Sequence, residues 1–320
     1  MQPLSGTLLI FLLAALAPLV GATDAPAIKH RFLAVDESRT QLLMIDQFNP
    51  EQNWTLPLPV KCRDYQLIGN NQILLNAPDG YYVYDLGTRA LVKELHVPAY
   101  NGTCSVRRLA NGHTFLTCNQ QGINVYELDD KDVLLNKAAF PSLSAMRLMR
   151  ISPAGTLLLG ANGNFVVEAD MTGKVLRQFP LPAPAKHVYQ VLRLPNGNLL
   201  ASSGYGHFLA ELDPAGNVVK RIDPPASTRE NLYHFFAGFQ LLKNGNIVQC
   251  NWIGHGAQDS AKGVQLLEFD PAGNVVWTWH DAQMAGSIHG IIVLDDLDTS
   301  VLNDDQSGTL QAMPSSGLKH

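Results

Sequence analysis

Residues 191–201 read VLRLPNGNLLA and residues 208–219 read FLAELDPAGNVV. The same two patterns return at 239–248, FQLLKNGNIV, and at 265–277, QLLEFDPAGNVVW. Looser copies of the first pattern are RLANGHTFL at 108–116 and ISPAGTLLL at 151–159. Self-similarity of this kind indicates that one structural unit is repeated along the chain.

Each unit contains short β-branched or aromatic runs separated by turn residues, which is the signature of β-strands. Asn-Gly at 111–112, 196–197 and 244–245 predicts tight hairpin turns, and Asp-Pro-Ala-Gly at 213–216 and 270–273 predicts a second turn. The turn glycines Gly112, Gly155, Gly197 and Gly245 recur roughly every 40 to 50 residues. Four strands at that period are typical of a propeller blade.

Five complete units lie near 62–98, 103–141, 145–182, 187–225 and 235–281. The runs at 32–35, 41–45 and 54–58 supply three outer strands of a sixth blade, and 287–294 supplies its inner strand. We therefore predict an all-β fold, a six-bladed β-propeller of four-stranded antiparallel blades whose ring is closed by the N- and C-terminal strands. Residues 23–303 form this single domain, and the small, polar residues 304–320 are expected to form a flexible tail.

Composition limits the partners and the compartment. The chain has 320 residues, a net charge of -5 and only 16% charged residues, which argues against nucleic acid because phosphate binding needs a basic stripe. The apolar run at 8–20 is shorter than the roughly 20 residues of a membrane span. It ends in a small-x-small pattern at 20–22, so we predict a signal peptide over 1–22 and a periplasmic or secreted protein whose mature chain has no membrane span.

The four cysteines, Cys62, Cys104, Cys118 and Cys250, have no zinc-binding spacing. Export allows a disulfide. Cys104 and Cys118 flank one predicted hairpin and Cys62 begins the neighbouring inner strand, so Cys62–Cys104 and Cys104–Cys118 are the candidate pairs. Buried free thiols are the other interpretation of the same positions.

The regular repeat is interrupted on one face of the predicted ring. Three irregular loops, at 203–207, 224–234 and 251–263, come from adjacent blades and are expected to meet beside the central channel. Departures from a repeat are expected at functional sites, and long loops on a rigid scaffold often bind ligands. The tight turns occupy the opposite face and are interpreted as structural.

Histidines concentrate near these loops or at the starts of inner strands: His187, His207, His234, His255 and His289. Imidazole serves as a base, a nucleophile or a metal ligand, so His289 and His234 are the candidate catalytic residues and the others candidate ligand contacts. The alternative for each ring is a hydrogen bond to loop backbone.

Further candidate contacts are aromatic or charged. Aromatic rings suit sugars and aromatic ligands, and arginines early in successive inner strands suit an anion. The alternatives are packing between blades for the rings, and pairing with a carbonyl or with Asp64 for the arginines. These candidates are Tyr205, Arg229, Tyr233, Trp252, Asp259, Arg63, Arg107 and Arg147.

The Leu-x-Asn-Gly-Asn hairpins and Asp-x-x-Gly-x-Val-Val-Trp turns resemble those of exported arylsulfotransferase-like, quinoprotein-like and NHL-like propellers. The resemblance covers nearly the whole mature chain. It implies the propeller fold, and likeness to the arylsulfotransferases implies transfer through a covalent histidine, His289 or His234, with arginines holding the sulfuryl group.

The residues themselves favour a binding protein whose partner is a small polar ligand, a glycan or another protein. No Gly-x-Ser-x-Gly, His-Glu-x-x-His or phosphate-binding loop is present. The alternative is an enzyme of the transferase or lyase type, and a third interpretation is an assembly hub. Acidic residues are few at the starts of the inner strands, which argues against calcium, and the spacing of the histidines does not support a transition-metal site. No metal site is therefore predicted, and the sequence identifies no cofactor.

Overall fold

The computed structural model describes residues 27–227 and 232–313. Twenty-four strands form six antiparallel sheets of four strands each, arranged in a ring, so the predicted six-bladed β-propeller is confirmed. We number the strands β1 to β26 along the chain and the blades 1 to 6. Blade 1 contains both ends of the ring.

The strand bounds closely follow the predicted units. Blade 1 is built from β1 (Arg31–Asp36), β2 (Gln41–Asp46), β3 (Trp54–Pro57) and β24 (Ile288–Val293). Blade 2 contains β4 (Tyr65–Gly69), β5 (Gln72–Ala77), β6 (Gly80–Asp85) and β7 (Leu91–His96). Blade 3 contains β8 (Thr103–Arg108), β9 (Thr114–Asn119), β10 (Ile123–Leu128) and β11 (Leu134–Phe140).

The remaining blades repeat the same order. Blade 4 contains β12 (Met146–Ile151), β13 (Leu157–Ala161), β14 (Phe165–Ala169) and β15 (Val175–Pro180). Blade 5 contains β16 (Val191–Arg193), β17 (Leu199–Ser202), β18 (Leu209–Leu212) and β19 (Val218–Ile222). Blade 6 contains β20 (Phe235–Leu241), β21 (Ile247–Trp252), β22 (Leu266–Phe269) and β23 (Val275–Trp279). Short 3-10 turns lie at Pro50–Gln52, Pro98–Tyr100 and Ala257–Lys262.

Blade 1 joins the two ends of the chain. Its inner strand β24 pairs antiparallel with β1, from Phe32 opposite Val293 to Asp36 opposite Ile288. This pairing satisfies the backbone groups of both strands, which would otherwise be unpaired sheet edges. The inner strand comes from the C-terminal part of the chain, as the sequence predicts.

The Asn-Gly hairpins differ in detail from the expected turn. Gly197 has a φ of 87°, but the φ of Asn196 is not positive. Leu194 N donates to Asn198 O at 2.8 Å and Gly197 N donates to Leu194 O at 2.9 Å, so three residues form the loop. A two-residue turn would need positive φ at both central positions, whereas this longer loop needs it only at glycine.

Asparagines near the ends of the second strands of three blades hold the start of an inner strand; Asn76 and Asn251 are buried and Asn119 is half-buried. Asn76 Oδ1 accepts from the backbone nitrogens of Arg63 at 2.9 Å and Asp64 at 3.0 Å. Asn119 and Asn251 bind the backbone at Met146 and His234 in the same way. These amides satisfy backbone groups at the starts of the inner strands.

The C-terminal segment closes one end of the channel, which we call the lower mouth. The nitrogens of Asn70 and Asn71 donate to the backbone of residues 299–300. Strands β25 (Asn303–Asp304) and β26 (Gln311–Ala312) then form a hairpin. The tail predicted for residues 304–320 thus begins within a β-hairpin, and its Asp305 binds the channel arginines Arg107 and Arg150, which the sequence alone does not bring near it. Residues 314–320 lie outside the described residues.

Buried charge fixes this C-terminal hairpin in place. Arg150 Nε donates to Asp305 Oδ2 at 2.8 Å, and Arg107 Nη2 lies 3.5 Å from the same oxygen. Both guanidinium groups also lie within 3.4 Å of the Asp64 carboxylate, which is 1% exposed. Paired and hydrogen-bonded charges of this kind are tolerated inside a protein, whereas single ones are not.

All four cysteines are buried and free, so the structure agrees with the free-thiol interpretation rather than with a disulfide. Within residues 27–227 and 232–313, no helix has the length and apolar character needed to cross a membrane. The predicted signal peptide, residues 1–22, falls outside the described part of the chain.

Candidate functional site

The candidate site lies at the upper mouth of the channel, where all six inner strands begin. Residues that precede or open different inner strands converge there because every inner strand enters the channel in the same direction. An open pocket of about 320 Å³, which we call the mouth pocket, occupies this position. Six sequence candidates line it: Arg63, Arg147, Tyr205, Trp252, His255 and His289.

Glu37 connects several of these side chains. Its carboxylate is 1% exposed and accepts from Arg63 Nη2 at 2.9 Å and from Trp252 Nε1 at 2.9 Å. His255 Nδ1 lies 3.3 Å and His289 Nε2 3.7 Å from Oε2 of the same carboxylate. One buried anion thus fixes residues from blades 1, 2 and 6.

Electrostatics keeps Glu37 charged. Burial alone raises its pKa, but the His289 ring and the hydrogen bond from Arg63 outweigh burial and lower the pKa to about 2. Because a guanidinium stays protonated at all relevant pH values, Arg63 is the partner that acts at neutral pH. The carboxylate is therefore an anion neutralised by Arg63.

His289 is uncharged at neutral pH. Burial lowers its pKa to about 3, against the attraction of Glu37 and with a smaller contribution from Arg63. The ring is stacked between two others, with its centroid 5.5 Å from Trp252 at 12° and 5.5 Å from Tyr189 at 27°. Rings on both sides fix its orientation, and its Nδ1 is buried with no hydrogen-bond partner among the described residues.

Arg147 lines the mouth pocket and has no carboxylate partner in the described part of the chain. Its Nη2 contacts His187 Nδ1 at 3.1 Å, and its buried Nε has no partner within the described segments. The pKa of His187 is lowered by burial and by the adjacent Arg147, so the contacting ring is neutral and accepts from the guanidinium. No carboxylate of residues 27–227 or 232–313 therefore compensates the charge of Arg147.

An aromatic wall forms the other side of the pocket. Tyr205 packs against Phe235 at 4.8 Å between ring centroids, and Phe235 against Trp252 at 5.9 Å. Tyr189 lies 5.6 Å from Phe235, and its buried hydroxyl has no hydrogen-bond partner among residues 27–227 and 232–313. Edge-to-face contacts of this kind make the wall rigid.

Several predicted residues stand outside the mouth pocket. His234 lies behind it, edge-on to Tyr205 at 5.7 Å, and burial lowers its pKa. His207 Nε2 binds the carbonyl of His234 at 2.6 Å, which is the structural alternative considered above. Tyr233 is buried against Phe236, and its ring does not line the pocket.

The remaining candidates have other roles or positions. Asp259 accepts from Gly256 N at 2.9 Å and contacts Lys262, so it shapes the 251–263 loop. Arg107 lies deeper in the channel against Asp64 and Asp305. Arg229 falls outside the described residues. In residues 27–227 and 232–313, no group of three or more His, Cys, Asp and Glu side chains is arranged to hold a metal ion.

Sequence reasoning missed Glu37, Tyr189 and Phe235. Glu37 lies in the loop at 37–40, between β1 and β2, and this loop is too short to attract attention by length. It is nevertheless the same kind of loop as 203–207 and 251–263, and it adjoins the strand that carries His289. The presence of an acidic residue in this loop, beside the closing inner strand, is the sequence feature that could have identified Glu37 as a site residue.

No protein-family model matches the sequence, and no curated protein matches it. Among solved structures, a protein of unknown function from Bacteroides caccae has a TM-score of 0.69 at 22% identity, over 82% of this chain and 98% of that one. A streptogramin B lyase has a TM-score of 0.58 at 15% identity, over 82% and 83%.

A further similar structure is a catalytically inactive variant of virginiamycin B lyase from Staphylococcus aureus with quinupristin. Its TM-score is 0.55 at 10% identity, over 79% of this chain and 84% of that one. At these identities the likeness is one of fold. The protein is a six-bladed β-propeller, and its activity has to be argued from its own mouth pocket.

Proposed function

We propose that this propeller binds a small anionic ligand in the mouth pocket. The observation that carries the proposal is Arg147, whose guanidinium lies at the pocket, contacts a neutral histidine and has no carboxylate partner among the described residues. A half-buried cation is costly without a counter-charge, and an anionic ligand supplies one.

Unsatisfied polar atoms support the same proposal. Arg147 Nε, Tyr189 Oη and His289 Nδ1 are buried without partners in the described chain, and all three residues line the same pocket. Most buried polar atoms in folded proteins have partners, so a cluster of exceptions calls for an explanation. A ligand that accepts hydrogen bonds from Arg147 Nε and Tyr189 Oη gives a partner to two of these three atoms.

The size of the pocket favours a small molecule over a glycan or a protein. Its volume of about 320 Å³ includes open space at the rim, so the enclosed part is smaller than that. A glycan chain would contact the pocket only through a terminal group.

The test is calorimetric titration of the protein with acetate, benzoate and sulfate, repeated with Arg147→Gln and Arg177→Gln. Arg177 is exposed on β15, the outermost strand of the same blade, and serves as the matched control. Loss of one charge-assisted contact, about 1.5–3 kcal/mol, should weaken binding about 10- to 100-fold in Arg147→Gln and leave Arg177→Gln unchanged. Absence of saturable binding of every anion contradicts the proposal.

A second candidate function is a lyase, favoured by the pairing of His289 and Tyr189. A neutral imidazole accepts a proton and a phenol donates one, which are the two roles an elimination requires. A bound anion beside His289 would raise its low pKa and strengthen it as a base. Two similar structures are lyases by name, which is compatible with this candidate.

The lyase is tested in deuterated water, where nuclear magnetic resonance follows the replacement of carbon-bound protons of a bound carboxylate by deuterium. The variant His289→Gln should still bind the carboxylate but should no longer catalyse this exchange. If the native protein binds a carboxylate but exchanges none of its carbon-bound protons, the binding function stands and the lyase is rejected.

We also propose that the mature protein works in the periplasm or outside the cell. The apolar run and small-x-small site at 8–22 support export. Fractionation of expressing cells and N-terminal sequencing of the exported protein test this, with a new N-terminus near residue 23 as the expected result. Retention in the cytoplasm with an intact N-terminus contradicts it.

A further inference from the structure

We propose that the ligand of the mouth pocket is a planar aromatic monocarboxylate of the benzoate type. This inference rests on the proposed anion-binding function and names the class of ligand. It follows from three properties of the pocket, namely its charge, the difference between its two walls and its unpartnered donor atoms.

The charge of the pocket favours a ligand with a single negative charge. Among the described residues two guanidinium groups line the pocket, Arg63 and Arg147, and the fixed carboxylate Glu37 is bound to Arg63 at 2.9 Å. Within the described chain, the positive charge left without a counter-charge is that of Arg147. A dianion would bring its second charge near the Glu37 carboxylate in a partly desolvated site, where repulsion between like charges is strong.

The two walls of the pocket are chemically different. Arg63 comes from blade 2 and Arg147 from blade 4, so the cationic side spans one half of the ring. The opposite half, blades 5 and 6, contributes Tyr205, Phe235 and Trp252. A ligand that satisfies both halves has an anionic group at one end and an aromatic body at the other.

The free donors of the pocket match a carboxylate. Arg147 Nε and Tyr189 Oη are two buried donor atoms without partners in the described chain, and they belong to adjacent blades. A carboxylate has two oxygens, each of which accepts a hydrogen bond, and arginine binds this planar group well. The hydroxyl and the guanidinium can therefore be satisfied by one planar group.

The mouth pocket is open, and its volume of about 320 Å³ includes the space above its rim. A carboxylate bound by Arg147 and Tyr189 lies in the enclosed part, and the ring attached to it packs at the rim against Tyr205 and Trp252. A second fused or linked ring would have to project above the exposed His255.

The experiment is a calorimetric titration with five matched probes: benzoate, cyclohexanecarboxylate, benzamide, phthalate and acetate. We expect benzoate to bind at least tenfold more tightly than each of the other four. Cyclohexanecarboxylate removes the aromatic ring, benzamide the charge, phthalate the single charge and acetate the body of the ligand.

The outcomes separate the two proposals. If acetate or cyclohexanecarboxylate binds as tightly as benzoate, the aromatic inference is overturned while anion binding stands. If phthalate binds more tightly than benzoate, the monoanion inference is overturned. If benzamide equals benzoate, or if no anion binds, the proposed function itself fails.

A variant tests the aromatic wall with little risk to folding. Tyr205 is 39% exposed, so Tyr205→Leu removes a ring from the rim without opening the core. We expect benzoate binding to weaken at least threefold and cyclohexanecarboxylate binding to stay unchanged. Equal changes for both probes overturn the aromatic inference, and thermal unfolding at the native midpoint verifies that the variant is folded.

Discussion

Replacing His30 should weaken the closure of the propeller ring in a pH-dependent way. His30 precedes β1, and its Nδ1 lies 2.6 Å from Asp295 Oδ2, just beyond β24. Its Nε2 lies 2.9 Å from Glu268 Oε2 in blade 6, and both His30 and Glu268 are almost fully buried. The imidazolium therefore joins the first strand, the last inner strand and the neighbouring blade.

The magnitude follows from the pKa of His30. Burial alone lowers this pKa, but the hydrogen bonds and charges of Asp295 and Glu268 outweigh burial and raise it to about 9. The value in the unfolded chain is about 6.5, and one pH unit corresponds to about 1.4 kcal/mol, so the charged form contributes about 3 kcal/mol. Because the folded pKa is the higher one, this contribution is complete below pH 6.5 and is lost as the pH rises through 9.

The assay is urea unfolding of the native protein and of His30→Gln at pH 6 and pH 9.5. At pH 6 the variant should be less stable by about 3 kcal/mol, and the difference should shrink markedly at pH 9.5. His113→Gln is the matched control, because His113 pairs with Glu127 at 2.9 Å within one blade and on the surface, where such pairs contribute little. A stability difference for His30→Gln that is the same at both pH values refutes the reasoning.

Three further predictions concern the channel and its lining. Glu37→Gln leaves Arg63 uncompensated, so benzoate should bind about tenfold more tightly in calorimetry; unchanged or weaker binding would show that Arg63 does not face the ligand. Burial and the adjacent Asp305 raise the pKa of Asp304 above its usual value, so its ionisation destabilises the fold as the pH rises above about 4. Asp304→Asn should therefore raise the thermal midpoint more at pH 8 than at pH 4.5, and an equal shift at both values contradicts this. Burial raises the pKa of the Cys62 and Cys104 thiols, so a thiol reagent should label no cysteine in the native protein and all four after unfolding; fewer than four in denaturant would reveal a disulfide.

Much of the fold could be predicted because it is encoded locally. The turn glycine Gly197 and its equivalents need positive φ wherever a hairpin turns, and strand runs of fixed length separate them. The closing strand was also predictable, since an unpaired edge on either terminal segment would be unfavourable and the run at 287–294 is the missing partner.

The candidate site was only partly predictable. His289, Trp252, His255, Tyr205 and Arg147 were identified because they interrupt the repeat or lie at the starts of inner strands, and all five line the mouth pocket. His207 was identified by the same signal, yet its ring serves the backbone of His234. Position in a repeat indicates the face of the propeller but does not give the direction of a side chain.

Sequence alone determined the propeller, its six blades, its closure and the face that carries the irregular loops, because turns and strand periodicity act between near neighbours. Only the tertiary structure decided which charged side chains find a partner. Glu37 meets Trp252 across 215 positions and Arg150 meets Asp305 across 155, and these pairs exist because the ring brings distant segments to one channel. Coulomb interactions depend on distance in space and on burial, neither of which is encoded in local pattern.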